Sequence, residues 1–368
     1  MGSRERRIEK ARSAIEHVPR ADKRVAAALA GGVAAAAVAG EGLRRFASRN
    51  GEVRDGDTAY RLLDGESAGK GLRRVALART DDALAHLGGA TGVPPAEAIH
   101  EARKDIKKIR AVIRLVRDEL GDDLYGAENQ RYRDIGRGLS GLRDSEVLIE
   151  TLDGLEERFG DSAGERFSGL RERLEQDLAG HSEDGSRERA LNGAAAALKE
   201  ARSGIESWPL ETEGWALVAP GIHRTYRRGR KRLRDVQEEP TDINLHEWRK
   251  RVKDLWYQMR LVHCVNPEVI GYVVGDTDGL ADHLGDDHDL ALLAEATSER
   301  AATLAEPGDR RALSELIDRR RGELQFAALS LGMRVYRDKP KRFLKGLEQH
   351  WSEWESPDRG GLSLRIRA

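Results

Sequence analysis

Cysteine is almost absent from this chain: Cys264 is the only one in 368 residues. That excludes an internal disulfide framework and a Cys-rich zinc site, and it suits a reducing compartment. Aromatic residues are 5% of the sequence, too few for an interleaved platform that stacks bases. An excess of one charge is missing as well. Lys and Arg number 63 against 64 Asp and Glu, a net charge of −1. A generic polycation is therefore excluded, and any affinity for an anion must come from local sorting of charge. Long uncharged stretches are confined to residues 25–39, VAAALAGGVAAAAVA. This run is short and weakly apolar for a membrane span, although Arg20, Lys23 and Arg24 before it give it the form of a signal h-region. We expect a cytoplasmic protein without stable membrane insertion, with an anchor or signal through 25–39 left open.

What the chain has in abundance is helical periodicity. Segments rich in Ala, Leu, Arg and Glu repeat their apolar positions every three to four residues, and alternating strand patterns are scarce. Gly, Pro and Asp clusters punctuate them, for example at Gly88–Pro95, Gly121–Gly126, Pro209–Gly214 and Glu238–Asp242. Ser67, Asp242 and Asp309 stand where helix N-caps are expected. Residues 65–71, GESAGKG, lack the spacing and the Ser/Thr of a phosphate-binding loop and read as a loop leading into a helix.

Two stretches match. Residues 100–117 read HEARKDIKKIRAVIRLVR and residues 246–260 read HEWRKRVKDLWYQMR. Each begins His-Glu-x-Arg-Lys-x-x-Lys and carries an Arg fourteen residues after the His. At about 100° per residue, His100, Arg103, Lys104, Lys107 and Arg114 share one side of a helix, opposite Ile106, Ile109, Val112 and Ile113. His246, Arg249, Lys250, Lys253 and Arg260 repeat the basic side, opposite Trp248, Val252, Leu255 and Met259. Each copy follows an Arg-rich segment and precedes a Leu/Asp-rich motif, 138–148 and 279–293. The simplest architecture is all-α: internally duplicated antiparallel helical bundles around a basic groove or pore. The expected organisation is an extension over 1–55, a domain over 56–356 with halves 56–205 and 214–353, and a tail over 357–368.

A basic helical face is usually just solvated, and like charges at i,i+3 and i,i+4 destabilise a helix slightly. A solvated face has no need to repeat Arg and Lys in fixed order after a His, so recurrence favours a bound polyanion. Segment 221–234 adds a third basic helix, with His223, Arg227, Arg230 and Arg234 on one line. In 131–147, Arg133, Arg137, Ser140 and Asp144 align, and Asp144 reads as a partner that orients arginines. His100 and His246 have no neighbouring nucleophile motif. They read as ring N–H donors that become imidazolium beside an anion, so affinity should rise as pH falls through the ordinary His range. Asp286-Asp287-His288-Asp289 invites a metal reading, but the matching Arg143-Asp144-Ser145-Glu146 has no His, and no metal or cofactor is expected.

The duplicated His-x-x-Arg-Lys-x-x-Lys helix resembles the CHAD family, the conserved histidine α-helical domain. The likeness extends to Gly71–Arg79, to Tyr132–Arg137 followed by Leu142-Arg143-Asp144, to Tyr226–Arg230, and to Arg334–Pro340 with Trp351 and Trp354. It covers about 65–355 and implies two four-helix bundles related by pseudo-twofold symmetry. It also implies non-enzymatic binding of inorganic polyphosphate and association with polyphosphate granules. The basic residues it implicates are Arg73, Arg74, His100, Arg103, Lys104, Lys107, Arg114, Arg133, Arg137, Arg227, Arg230, His246, Arg249, Lys250, Lys253, Arg260 and Lys339. Asp254 and Trp256 replace Lys108 and Arg110 in the second copy, so the second wall should be less basic. Some relatives carry a fused triphosphatase domain of acidic strands, and no such strands are legible here. Two alternatives stay open: a metal-dependent phosphohydrolase centred on His288, and a nucleic-acid-binding module, the less favoured partner.

Overall fold

The structure, a computed structural model, describes residues 60–140, 144–160, 167–182, 186–299 and 307–356. The extension over 1–55, the tail over 357–368 and the uncharged run 25–39 lie outside the described residues. Among the described residues every regular element is helical and there is no strand. The α-helices are α1 Ala68–Leu87, α2 Pro95–Leu115, α3 Arg117–Gly138, α4 Asp144–Phe159, α5 Ser168–Ser182, α6 Ser186–Ile205, α7 Gly214–Glu238, α8 Asp242–Leu261, α9 Pro267–Glu299, α10 Pro307–Val335 and α11 Pro340–Glu355. The two motif copies lie on α2 and α8, each preceded by an Arg-rich helix, α1 or α7. No described helix is long and apolar enough to cross a membrane.

Local signals explain most helix ends, with some corrections. Pro95 opens α2 and Pro340 opens α11, where a missing N–H costs nothing. Ser67 occupies the N-cap position of α1, but its carbonyl, not its side chain, accepts the first bond, from Gly71 N–H at 2.9 Å. Thr241 rather than Asp242 caps α8, its hydroxyl accepting from the Asn244 N–H. Asp309 lies inside α10. The break at Gly121–Gly126 is a single kink: Gly121 has φ 72°, and Gly126 continues the helix.

Apolar faces gather into one main core that draws on both sequence halves. Leu72, Ile106, Ile109 and Val112 share it with Ile222, Tyr226, Trp248 and Met259. A smaller core joins Leu152 and Leu155 of α4 and Leu170 and Leu174 of α5 to Leu290, Leu293, Leu313 and Ile317 of α9 and α10. The cores therefore do not follow the boundary at 205–214, because α4 and α5 find their apolar partners on the second half.

The two motif regions are locked together by backbone contact. A Cβ on Gly221 of α7 would stand 2.1 Å from the Leu115 carbonyl oxygen at the end of α2. Backbone cannot swing aside as a flexible side chain can. Gly221→Val should therefore destabilise the fold by about 3 kcal/mol or force α7 off α2. Urea unfolding checks this, and a midpoint equal to wild type would show that the approach is looser than described.

Candidate anion-binding site

Helices α2 and α8 pack against each other and bring their basic faces to one cleft. The α2 side supplies Arg103, Lys104 and Lys107, and the α8 side supplies Arg249 and Lys253. Helix α9 forms a third side. Its Asp278, Asp282, Gly285 and Asp289 recur at helical spacing and define one stripe. Asp278 and Asp282 act on Lys253, and Asp289 acts on Lys107. Gly285 leaves room for the Arg249 guanidinium, which would lie 3.4 Å from a Cβ placed there. The cleft thus has two basic walls and one acidic wall.

Lys107 is its focus. The side chain is exposed, and it makes no salt bridge or hydrogen bond among the described residues. Its ammonium is nevertheless pushed down to about 7. Desolvation by surrounding protein is the main cause, the cations Arg103, Arg249 and Lys253 add to it, and Asp289 opposes. Contact with water combined with a surround of protein is what a concave wall produces. Lys253 is lowered too, chiefly by burial, with Arg249 and Lys104 adding and Asp282 and Asp278 opposing. The departures in the second copy have structural reasons. Trp256 is a platform under Lys253 at 5.0 Å and Arg260 at 4.8 Å. Asp254 accepts from Arg114 at 2.8 Å and ties α8 to α2.

Several of the basic residues singled out from sequence serve other contacts. Arg73 donates to the Trp208 carbonyl at 2.6 Å and Arg74 pairs with Glu66, so both fasten loops to α1. Arg114 is spent on Asp254, and Arg230 donates to the Tyr336 carbonyl at 3.1 Å. Each of these four guanidiniums is held by an acceptor of its own chain: a carboxylate offsets the charge of Arg74 and Arg114, and neutral carbonyls orient Arg73 and Arg230. Lys104 and Lys250 keep partial partners in Glu101 at 2.8 Å and Glu247 at 2.6 Å. Arg103 donates to the Gly136 carbonyl at 2.9 Å, which sets the last turn of α3, with exposed Arg137, beside that end of the cleft. Arg133 is occupied by Gln130 and Asp134 on its own helix. Arg227 and Lys339 are exposed, and no contact joins them to the cleft among the described residues. The side chain of Asp144 and residues Leu142 and Arg143 lie outside the described residues.

The histidines behave differently from the sequence expectation. His246 packs against His288 with ring centroids 4.3 Å apart and planes tilted by 37°, and its Nδ1 is buried without a hydrogen bond among the described residues. Burial, then Lys250 and Arg249, lower His246, while Glu247 opposes. His288 is pushed down to about 4 by burial first, then by Arg249, His246 and Lys250. In the free protein these surroundings favour the neutral form of both rings. His100 lies 4.0 Å from Glu101, its neighbour on α2. Asp287 is buried and holds Arg321 at 3.0 Å and Gln325 at 2.8 Å, a structural role. Among the described residues no group of three or more His, Cys, Asp or Glu converges as metal ligands would.

Sequence reasoning missed the acidic wall and the arginines Arg224, Arg228 and Arg251. Arg224, Arg228 and Arg232 recur every four residues, a signal present in the sequence but masked by the neighbouring line of His223, Arg227, Arg230 and Arg234.

A CHAD domain family model matches residues 74–298. Among solved structures, PptA from Streptomyces chartreusis is similar at 16% identity and a TM-score of 0.48, covering 78% of this chain and 100% of that one. The CHAD domain from the plant Ricinus communis is similar at 17% identity and a TM-score of 0.46, covering 78% of this chain and 94% of that one. No curated protein matches the chain.

Proposed function

This chain belongs to the CHAD domain family, and from that premise we propose that it binds inorganic polyphosphate in the α2–α8 cleft, without turning it over, as a scaffold on polyphosphate granules. The observation that carries this reading is Lys107, an exposed residue whose ammonium is desolvated and crowded by Arg103, Arg249 and Lys253. Cations so gathered from two helices destabilise one another until an anion joins them. Guanidiniums offer forked donors to phosphoryl oxygens, and ammoniums offer point charges. A phosphoanhydride chain fits because it presents a negative charge at every unit and asks for no base recognition. The acidic α9 wall disfavours loose anions and reserves the cleft for a ligand dense in charge.

The test is titration of the full chain with long-chain polyphosphate, with phosphate release followed in magnesium or manganese. Saturable binding without release is expected. Log affinity should fall linearly with log salt, and six or more neutralised phosphates would cost roughly a thousandfold or more between 50 and 200 mM. Metal-dependent release would make the protein a phosphohydrolase. Tighter binding of nucleic acid at equal salt would make it a nucleic-acid module, and a flat salt response would remove the electrostatic basis.

A further inference from the structure

A second cationic surface lies beyond the cleft, built from residues outside the duplicated motif's shared positions. Arg117 opens α3, Arg224 and Arg228 sit one turn apart on α7, and Arg251 is on α8. Contacts bring them together. Arg224 pairs with Asp118, the residue after Arg117. Arg251 shares Asp254 with Arg114 of α2, at 3.1 Å and 2.8 Å. The Arg117 guanidinium pairs with Asp122 at 3.0 Å and lies over the Tyr125 ring, 4.7 Å from its centroid. Arg228 stands among them, exposed and without an ion pair among the described residues, and it feels Arg251, Arg117 and Arg224 together. The Arg224 Nη1 is buried with no hydrogen-bond partner among the described residues.

Asp122, Asp118 and Asp254 each hold one of these guanidiniums, and Arg228 is left with three cationic neighbours from three helices and no carboxylate of its own among the described residues. The patch is also connected to the cleft. Arg103, Arg110 and Arg114 lie along one line of α2, a span of about 16 Å at the helical rise per residue. Arg110 in the middle of that line donates to the neutral Asn129 amide oxygen at 3.3 and 3.4 Å, so no carboxylate cancels its charge there. Its neighbours are Arg114 and Arg133, with Asp254 and Tyr125 opposing.

We infer that Arg117, Arg224, Arg228 and Arg251 form a second anion subsite, which takes the continuation of a polyphosphate chain leaving the α2–α8 cleft along α2. The inference rests on the polyphosphate reading of the cleft. It makes the protein a length-selective binder: short chains fill the cleft alone, and long chains gain the second subsite.

The test uses the full chain and two probes, tripolyphosphate and long-chain polyphosphate. Arg228 is exposed and outside the cleft, so Arg228→Glu should fold, and Arg228→Gln serves as the milder variant. Long-chain affinity should fall about tenfold for Arg228→Glu and less for Arg228→Gln, with the salt slope reduced by about one unit. Tripolyphosphate affinity should not change. No loss with the long chain, or equal loss with both probes, overturns the second subsite. Lys107→Glu, run in parallel, should weaken both probes. If it weakens both while Arg228→Glu weakens neither, only the extension fails. If wild type binds neither probe, the reading of the cleft fails, and the extension with it. If Lys107→Glu weakens neither while Arg228→Glu weakens the long chain, the patch is the primary site and the continuation model is wrong.

Discussion

Lys107→Glu combined with Arg249→Glu is expected to lower polyphosphate affinity at least about a hundredfold, since each charge-assisted contact is worth roughly 1.5–3 kcal/mol and reversal adds repulsion. The two residues come from different helices and meet across the cleft, so their loss removes both walls at one point. Lys107 has no ion pair among the described residues to lose, and Arg249 lies against Gly285 rather than in the core. Thermal unfolding should therefore stay within a few degrees of wild type. Arg73→Met is the counterpart. It removes the donors to the Trp208 and Leu210 carbonyls and should cost about 1–3 kcal/mol of stability while leaving affinity unchanged. If Arg73→Met weakened binding as much as the cleft pair, attraction would be diffuse and the cleft model would be wrong. Binding isotherms and melting curves on the same preparations decide it.

A second large effect is the pH dependence of binding above neutrality. Lys107 is held at about 7 in the free protein, by desolvation from the surrounding protein first and by Arg103, Arg249 and Lys253 after it, against Asp289. A bound polyanion favours the ammonium and raises that value, so binding takes up a proton above pH 7. The sign follows. Affinity is level below pH 7, where Lys107 is already charged in both states. It falls as pH rises above 7, by up to about tenfold per unit, until the bound-state value is reached. Lys253, lowered for similar reasons, contributes with the same sign. Lys107→Arg keeps the charge at every pH in this range, so it should retain affinity and flatten the first part of the profile. A fall centred near pH 6.5 and abolished by His246→Gln would assign the titration to the histidines instead of Lys107.

The two basic faces were legible because helical geometry converts residue spacing into direction without reference to any other part of the chain. Arg103, Lys107, Arg249 and Lys253 stand on the lines that spacing assigns them. Whether each cation is free was not legible. Arg114 occupies the same line as Lys107, yet it is consumed by Asp254, 140 residues away. Arg73 is consumed by a carbonyl at Trp208, and no pattern near Arg73 announces it. On α7, Arg224 reaches Asp118, Arg232 acts on Glu247 and Arg228 lies near Arg251 and Arg117, whereas the adjacent line contains Arg227 and Arg230. Both lines are equally regular, and packing alone selects between them.

The sequence by itself determined the class of the protein: all-helical, poor in thiols and aromatics, neutral in sum, with cations sorted onto two matching helical faces. Those properties are local, since periodicity and composition set helix type and the side each residue occupies. Only the tertiary structure decided which cations meet, which are neutralised, and that α9 closes the cleft with Asp278, Asp282 and Asp289. Those are properties of through-space distance. A charge's effect depends on partners brought close by packing, and the packing that placed α4 and α5 on α9 and α10 crosses the boundary between the halves.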